Sequence, residues 1–128
     1  MKLRDLDAQF YQWYKGIADE FHGQTLPDGT TQWGGFPVDC FKPVDTLAEA
    51  HCVWLLCPKC FAANNGKAGT HQVCVYFKGS PVPDVINQGV RWDVSGAGLD
   101  DLTISPSILC IGGCAWHGFI TNGDTRDA

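Results

Sequence analysis

Two short motifs carry side chains that could hold a metal ion. Cys57-Pro58-Lys59-Cys60 places two thiols with two residues between them, and Cys114-Ala115-Trp116-His117 repeats that spacing with a thiol and an imidazole. A Cys-x-x-Cys turn lets both thiolates reach one ion, and three thiolates with one imidazole are a typical donor set of structural zinc sites. We therefore predict one structural Zn²⁺, bound by Cys57, Cys60, Cys114 and His117.

The fourth ligand has two alternatives. Cys110 would complete a site of four thiolates, and His71 could approach from the start of a predicted strand. Cys57-Pro58-Lys59-Cys60 on its own could also be a redox dithiol, a motif that connects a strand to a helix. Because Asn64-Asn65-Gly66 does not resemble a helix start, we favour metal binding.

None of the common catalytic motifs is present. The sequence lacks His-x-Glu and His-Glu-x-x-His, the zinc-enzyme motifs, and the Gly-x-Ser-x-Gly turn of serine hydrolases. One candidate site remains, in which the acidic turn Asp100-Asp101 is followed by Ser105-Pro106-Ser107, with His117 on a strand expected to pair nearby. A solvated turn and a strand end explain these residues more simply, so the sequence assigns no catalytic residue.

The elements that must position these residues are mainly strands. The chain is expected to form an α+β, mostly β fold, a single antiparallel domain over residues 1–128 with a zinc-ribbon-like or treble-clef-like zinc site. Residues 16–43 contain many turn-forming residues and are predicted to be a loop or hairpin insertion. The predicted strands are residues 3–15, 53–56, 71–77, 90–94, 102–104 and 116–121, with a helical turn at 47–50.

The composition limits the classes of partner. With 45% hydrophobic and 12% aromatic residues the chain is not of the disordered type. A net charge of −5 and nine scattered Lys and Arg residues give no basic surface, so direct nucleic-acid binding is not expected. The longest apolar run, residues 52–57, is too short to cross a bilayer, and an acidic N-terminal segment does not resemble a signal peptide. We expect a cytoplasmic protein with reduced thiols and no membrane partner.

Several strings together resemble DUF6527, a family of small phage and prophage proteins of unknown function. The resemblance covers about residues 44–124 and implies a phage-encoded, zinc-binding protein. It places Cys57, Cys60, Cys114 and either His117 or His71 at matching positions. The strings are residues 44–50, Leu56-Cys57-Pro58-Lys59-Cys60-Phe61, Gly69-Thr70-His71, residues 98–108, and Gly113-Cys114-Ala115-Trp116-His117-Gly118-Phe119.

A binding function is the leading hypothesis. An acidic chain without a catalytic motif suits a module that binds a host or phage protein, for example as an inhibitor of a host defence component. A zinc-dependent hydrolase or deaminase-like enzyme is the first alternative, and a virion or assembly component is the second. A homodimer is left open.

Overall fold

The computed structural model describes residues 1–18, 24–25, 27–29, 31–32 and 36–128. Within them the strands form two four-stranded sheets and a two-stranded ribbon, and all the ladders are antiparallel. The prediction of a small, mostly β, antiparallel fold with few helices is confirmed. The elements are β1 (Gln9–Ala18), β2 (Gln24–Thr25), β3 (Thr31–Gln32), β4 (Phe36–Val44), β5 (Cys52–Leu56), α1 (Pro58–Asn64), β6 (Gln72–Tyr76), β7 (Asp93–Ser95), β8 (Thr103–Leu109), β9 (His117–Thr121) and β10 (Asp124–Asp127), with 3-10 turns at Leu3–Leu6, Leu47–Glu49 and Ile86–Gly89.

The first sheet has the strand order β4-β1-β5-β6. Its longest ladder joins β1 to β4, from Phe10 opposite Val44 to Ala18 opposite Phe36. The insertion predicted over residues 16–43 therefore contains the end of β1, most of β4 and the β2–β3 ribbon. Residues 19–23, 26, 30 and 33–35 of that insertion lie outside the described residues.

The N-terminal residues differ from the prediction of a strand starting at residue 3. Leu3–Leu6 is a 3-10 turn, and the strand β1 begins only at Gln9. A 3-10 helix has three residues per turn, so Leu3 and Leu6 lie on the same side, and both are fully buried. Burial of two leucines three residues apart therefore selects the turn over the strand.

The second sheet has the strand order β10-β9-β8-β7. In the β8–β9 hairpin Leu109 lies opposite His117 and Ile104 opposite Ile120, and the register shifts between these two points. β8 is longer than its predicted residues 102–104, and β10 was not predicted. The turn between β9 and β10 is Asn122-Gly123, where both residues have a positive φ, as a tight two-residue hairpin turn requires.

One buried cluster contains side chains from both sheets. Val53 and Val75 of the first sheet belong to it together with Ile108 and Ile120 of the second. The sheets also meet through the backbone, because Trp92 exchanges hydrogen bonds with residues 76 and 78 at the end of β6. Every helix in the described part of the chain falls short of the length and apolarity that a membrane span needs.

Candidate functional site

Three metal-ligand candidates lie at one end of the first sheet. Cys57 directly follows β5, and its amide donates to the carbonyl oxygen of His71 at 2.9 Å, so the two residues face each other where β5 and β6 meet. Cys60 lies in the first turn of α1, which begins at Pro58. Proline is favoured at the first helical position because its missing N–H has no partner there. The strand end and the helix start thus bring two thiols and one imidazole together.

The fourth candidate, Cys114, comes from the second sheet. It lies in the loop of residues 110–116 between β8 and β9, and its Sγ is 3.5 Å from Cys57 Sγ and 3.2 Å from His71 Nε2. With Zn–S bonds of about 2.3 Å, two sulfurs of a tetrahedral site lie about 3.8 Å apart. The spacing therefore suits a single ion. The donor atoms of Cys57, Cys60, His71 and Cys114, here called the four-donor cluster, all lie within 4.8 Å of one another.

The titrating groups of this cluster influence each other strongly. The hydrogen bond from His71 lowers the pKa of the Cys114 thiol to about 6, and the same contact raises the pKa of His71. Burial raises the pKa of Cys57 to about 11. A metal ion binds cysteine as the thiolate, so its arrival displaces the remaining protons. The cluster can therefore exchange protons for a cation.

The other two predicted ligands lie outside the four-donor cluster. Cys110 packs against the core at the start of the loop, where its amide donates to the Trp116 carbonyl oxygen at 2.8 Å. His117 is the first residue of β9, and its Nε2 lies 2.8 Å from Ser107 Oγ. The cluster thus takes its imidazole from His71, the alternative that the sequence left open.

The segment after Cys57 is helical, so the prediction that no helix follows this cysteine is wrong. α1 ends at Asn64, and its C-cap residue Asn65 has a left-handed conformation and donates its amide to the carbonyl oxygens of residues 61 and 62. Asparagine tolerates this C-cap conformation, so Asn64-Asn65-Gly66 marks the end of a helix. The Cys-x-x-Cys motif therefore has the strand-to-helix context of a redox dithiol. The approach of His71 and Cys114 is what favours a metal.

Ser107 and His117 form a hydrogen-bonded pair on the neighbouring strands β8 and β9. Successive side chains of a strand point to opposite faces of the sheet. Ile108 and Gly118, which follow Ser107 and His117 and lie opposite each other, are buried on the core side. The pair therefore lies on the outer face of the sheet, with Ser107 half-buried and His117 exposed. A serine hydroxyl within hydrogen-bond distance of an imidazole is the arrangement of an activated nucleophile. We call it the serine–histidine pair.

The backbone of both strands is held on either side of this pair. Trp92 donates its indole N–H to the Ser107 carbonyl oxygen at 3.2 Å. On the other side, the amide of Ala128 donates to the His117 carbonyl oxygen at 2.9 Å. These bonds fix the positions from which the two side chains project.

The acidic turn does not take part in the serine–histidine pair. Asp100 accepts hydrogen bonds from Arg4, which lower the pKa of its carboxyl group. Asp101 accepts from the amides of residues 97 and 98, and these bonds lower its pKa as well. Both carboxylates therefore have hydrogen-bond partners other than Ser107 and His117, as expected for acidic residues in a surface turn. The sequence names Ser107 and His117 among the residues of a candidate site, and the structure shows that these two side chains meet without the acidic turn.

Comparison with known proteins identifies a family. Residues 41–128 match the model of BubE, described as a bacterial ubiquitination-like system serine protease. No curated protein and no solved structure matches the chain. The resemblance to DUF6527 is thereby corrected, because the matching model is that of a different family. The match indicates a bacterial defence system and gives no support to a phage or viral origin. Both the four-donor cluster and the serine–histidine pair lie within the matched residues.

Proposed function

We propose that this chain, which belongs to the BubE family, is a serine hydrolase that cleaves an acyl linkage on a protein of a bacterial ubiquitination-like system. One observation carries the proposal, the 2.8 Å contact between Ser107 Oγ and His117 Nε2. It is the one hydrogen bond between a serine hydroxyl and an imidazole among the described residues. The family description names a serine protease, and this pair supplies the nucleophile and base that such an enzyme needs.

The proposed chemistry starts at Ser107. His117 Nε2 accepts the hydroxyl proton while Oγ forms a bond to the substrate carbonyl carbon. The bond from that carbon to the leaving nitrogen or oxygen breaks, and the imidazolium returns its proton to the leaving group. Water then attacks the acyl carbon and loses a proton to His117, the bond from this carbon to Oγ breaks and releases the carboxylic acid, and His117 returns the proton to Oγ. Positioned general-base catalysis of this kind contributes about 10²–10⁴-fold to the rate.

A fluorophosphonate probe and a p-nitrophenyl ester test the proposal. Ser107 Oγ attacks the phosphorus atom of the probe and displaces fluoride. We therefore expect labelling at Ser107 and loss of labelling in Ser107→Ala. His117→Gln should slow ester hydrolysis by at least about 10²-fold, because no base then accepts the proton.

Ser105→Ala is the matched control. Ser105 lies two residues earlier on the same strand and is exposed, and no hydrogen bond joins it to His117 among the described residues. This variant should label like the wild type. Labelling of another residue, or full labelling of Ser107→Ala, would refute the proposal.

We also propose that the four-donor cluster holds a structural Zn²⁺. Three thiolates and one imidazole form a soft, closed tetrahedral set, which zinc favours and which leaves no position for substrate. This supports a structural role over the zinc-dependent hydrolase or deaminase considered from the sequence. We propose further that this zinc site is of the zinc-ribbon-like or treble-clef-like type.

Elemental analysis of the purified protein tests the metal. We expect about one zinc per chain, as one tetrahedral site requires. Zinc affinity should fall strongly in Cys57→Ser, because one of the three thiolate donors is removed and only three of the four protein ligands remain. Cys52→Ser is the control, since Cys52 is equally buried but lies outside the cluster. Wild-type zinc affinity in Cys57→Ser would contradict the assignment.

A further inference from the structure

The loop that supplies Cys114 also connects the two strands of the serine–histidine pair. Residues 110–116 begin directly after β8, which carries Ser107, and end directly before His117. Cys114 is therefore three residues from the imidazole in sequence. A displacement of this loop therefore acts on the ends of β8 and β9 that lie next to the two side chains.

Within the described residues, each hydrogen bond from this loop to the first sheet or to α1 ends on Cys114. Its Sγ meets Cys57 and His71, and its carbonyl oxygen accepts a hydrogen bond from Lys59 Nζ at 2.8 Å. The tip of the loop is otherwise open to solvent, and Ile111 is 94% exposed. The metal ligand is thus the anchor of the loop on the first sheet.

Packing does not hold the loop tip in place, because residues 111–113 and 115 are exposed to water. Gly112, Gly113 and Ala115 all have positive φ values, and the bond from the Ala115 amide to the Gly112 carbonyl oxygen is internal to the loop. At the base, the Cys110 amide donates to the Trp116 carbonyl oxygen. These contacts shape the loop, but they do not attach it to the opposite sheet.

We propose that metal binding to the four-donor cluster positions the serine–histidine pair, so that the reactivity of Ser107 depends on metal occupancy. This inference rests on the proposed serine hydrolase function. A bound ion would join Cys114, in the loop between β8 and β9, to Cys57 and His71 at the end of the first sheet and to Cys60 in α1, and would so fix the end of the β8–β9 hairpin. Cys114 is a positioning residue, because it acts on the reaction through the backbone of the hairpin. A misplacement of about 1 Å at reacting atoms can lower a rate by about 10²-fold.

The decisive variant is Cys114→Ala. It leaves Cys57, Cys60 and His71 to bind zinc with lower affinity, so the variant is loaded with excess zinc, but it releases the hairpin from the ion. We expect the zinc-loaded variant to react with the fluorophosphonate probe about 10²-fold more slowly than the wild type. Cys110→Ser, in the same loop but outside the cluster, should keep the wild-type rate.

Two further measurements separate positioning from a merely structural role. Loading the wild type with Co²⁺ or Cd²⁺ should leave the labelling rate within about threefold of the zinc form, because the ion acts as a template and not as a Lewis acid. Cys114→His should recover part of the rate lost in Cys114→Ala, since it restores a fourth donor. Near-ultraviolet circular dichroism reports the fold in each case.

The outcomes distinguish this inference from the function on which it rests. A metal-loaded wild type that is not labelled at Ser107 refutes the serine hydrolase itself. Labelling of Cys114→Ala, or of a metal-free wild type, at the full rate refutes only the positioning role. If the metal-free chain unfolds, the zinc-loaded Cys114→Ala protein decides between the two results.

Discussion

Replacing Gly118 by alanine tests how closely β9 packs beside the serine–histidine pair. A Cβ at this position would collide with the ring of Trp116 and would lie 2.5 Å from the carbonyl oxygen of Arg126. Real Cβ atoms essentially never approach other heavy atoms closer than 3.0 Å. Trp116 is 2% exposed and the Arg126 atom belongs to the backbone of β10, so neither neighbour has a free direction in which to move.

The expected loss of stability follows from these two collisions. Overpacking a filled core costs about 1–3 kcal/mol, and a clash with both a buried ring and a backbone atom belongs at the upper end. For a chain of this length, 1 kcal/mol lowers the melting temperature by about 3–5 °C. We therefore expect Gly118→Ala to melt about 9–15 °C below the wild type.

Thermal unfolding followed by circular dichroism measures this difference. Gly98→Ala is the control, because no heavy atom lies within 4 Å of its added Cβ and its φ is not positive. Alanine at such a position leaves stability unchanged or raises it by up to about 1 kcal/mol, since it restricts the unfolded chain. A Gly118→Ala protein that melts within about 3 °C of the wild type would refute the packing described here.

Two further predictions concern polar groups of the half-buried His51 and the buried Trp116. Burial lowers the pKa of His51 below its usual 6.5, so its contribution to stability is complete above that pH and declines as the pH falls below it. Melting temperatures measured between about pH 8 and pH 5 should therefore fall less in His51→Gln than in the wild type, and parallel curves would contradict this. Trp116→Phe removes the indole donor to Asp127 Oδ1 at 2.9 Å, which should lower the free energy of unfolding in urea by about 1–3 kcal/mol. A change below about 0.5 kcal/mol would show that this bond contributes little.

The sequence predicts strands well where burial alternates with a period of two. Residues 71–77 are predicted as a strand and Gln72–Tyr76 forms one, with Val73 and Val75 buried. Likewise, Thr46 and Glu49 have the spacing of a capping box, and a 3-10 turn forms at Leu47–Glu49, where the two side chains bond each other at 2.7 Å and do not cap a backbone amide. In both places the local pattern and the tertiary contacts favour the same structure.

Prediction fails where a distant contact chooses between two local options. The two leucines before β1 fit either a strand or a turn, and only their common burial selects the turn. The short helix α1 was missed for a different, local reason, because its C-cap, Asn65, was interpreted as a loop. Only the first of these two choices depends on residues that are distant in sequence.

The candidate sites show the same division. Sequence spacing identifies three members of the four-donor cluster, because short ligand motifs are local features. Cys57 and Cys60 form a Cys-x-x-Cys motif, and Cys114 begins a Cys-x-x-His motif. The choice of imidazole depends on the pairing of β5 with β6, which places His71 opposite Cys57. The serine–histidine pair depends on the shifted register between β8 and β9, which no motif records.

The roles of the two histidines depend on each other for a chemical reason. The sequence predicts His117 as a metal ligand. In the structure, however, His117 Nε2 faces Ser107, and it is His71 Nε2 that faces the thiol of Cys114. A neutral imidazole has one acceptor nitrogen, so a nitrogen that binds a metal has no lone pair left to accept a serine proton. Reaction of Ser107 in the zinc-loaded protein would therefore support His117 as the base and, at the same time, His71 as the metal ligand. One labelling experiment thus tests both assignments, because the chain cannot use the same nitrogen for both tasks.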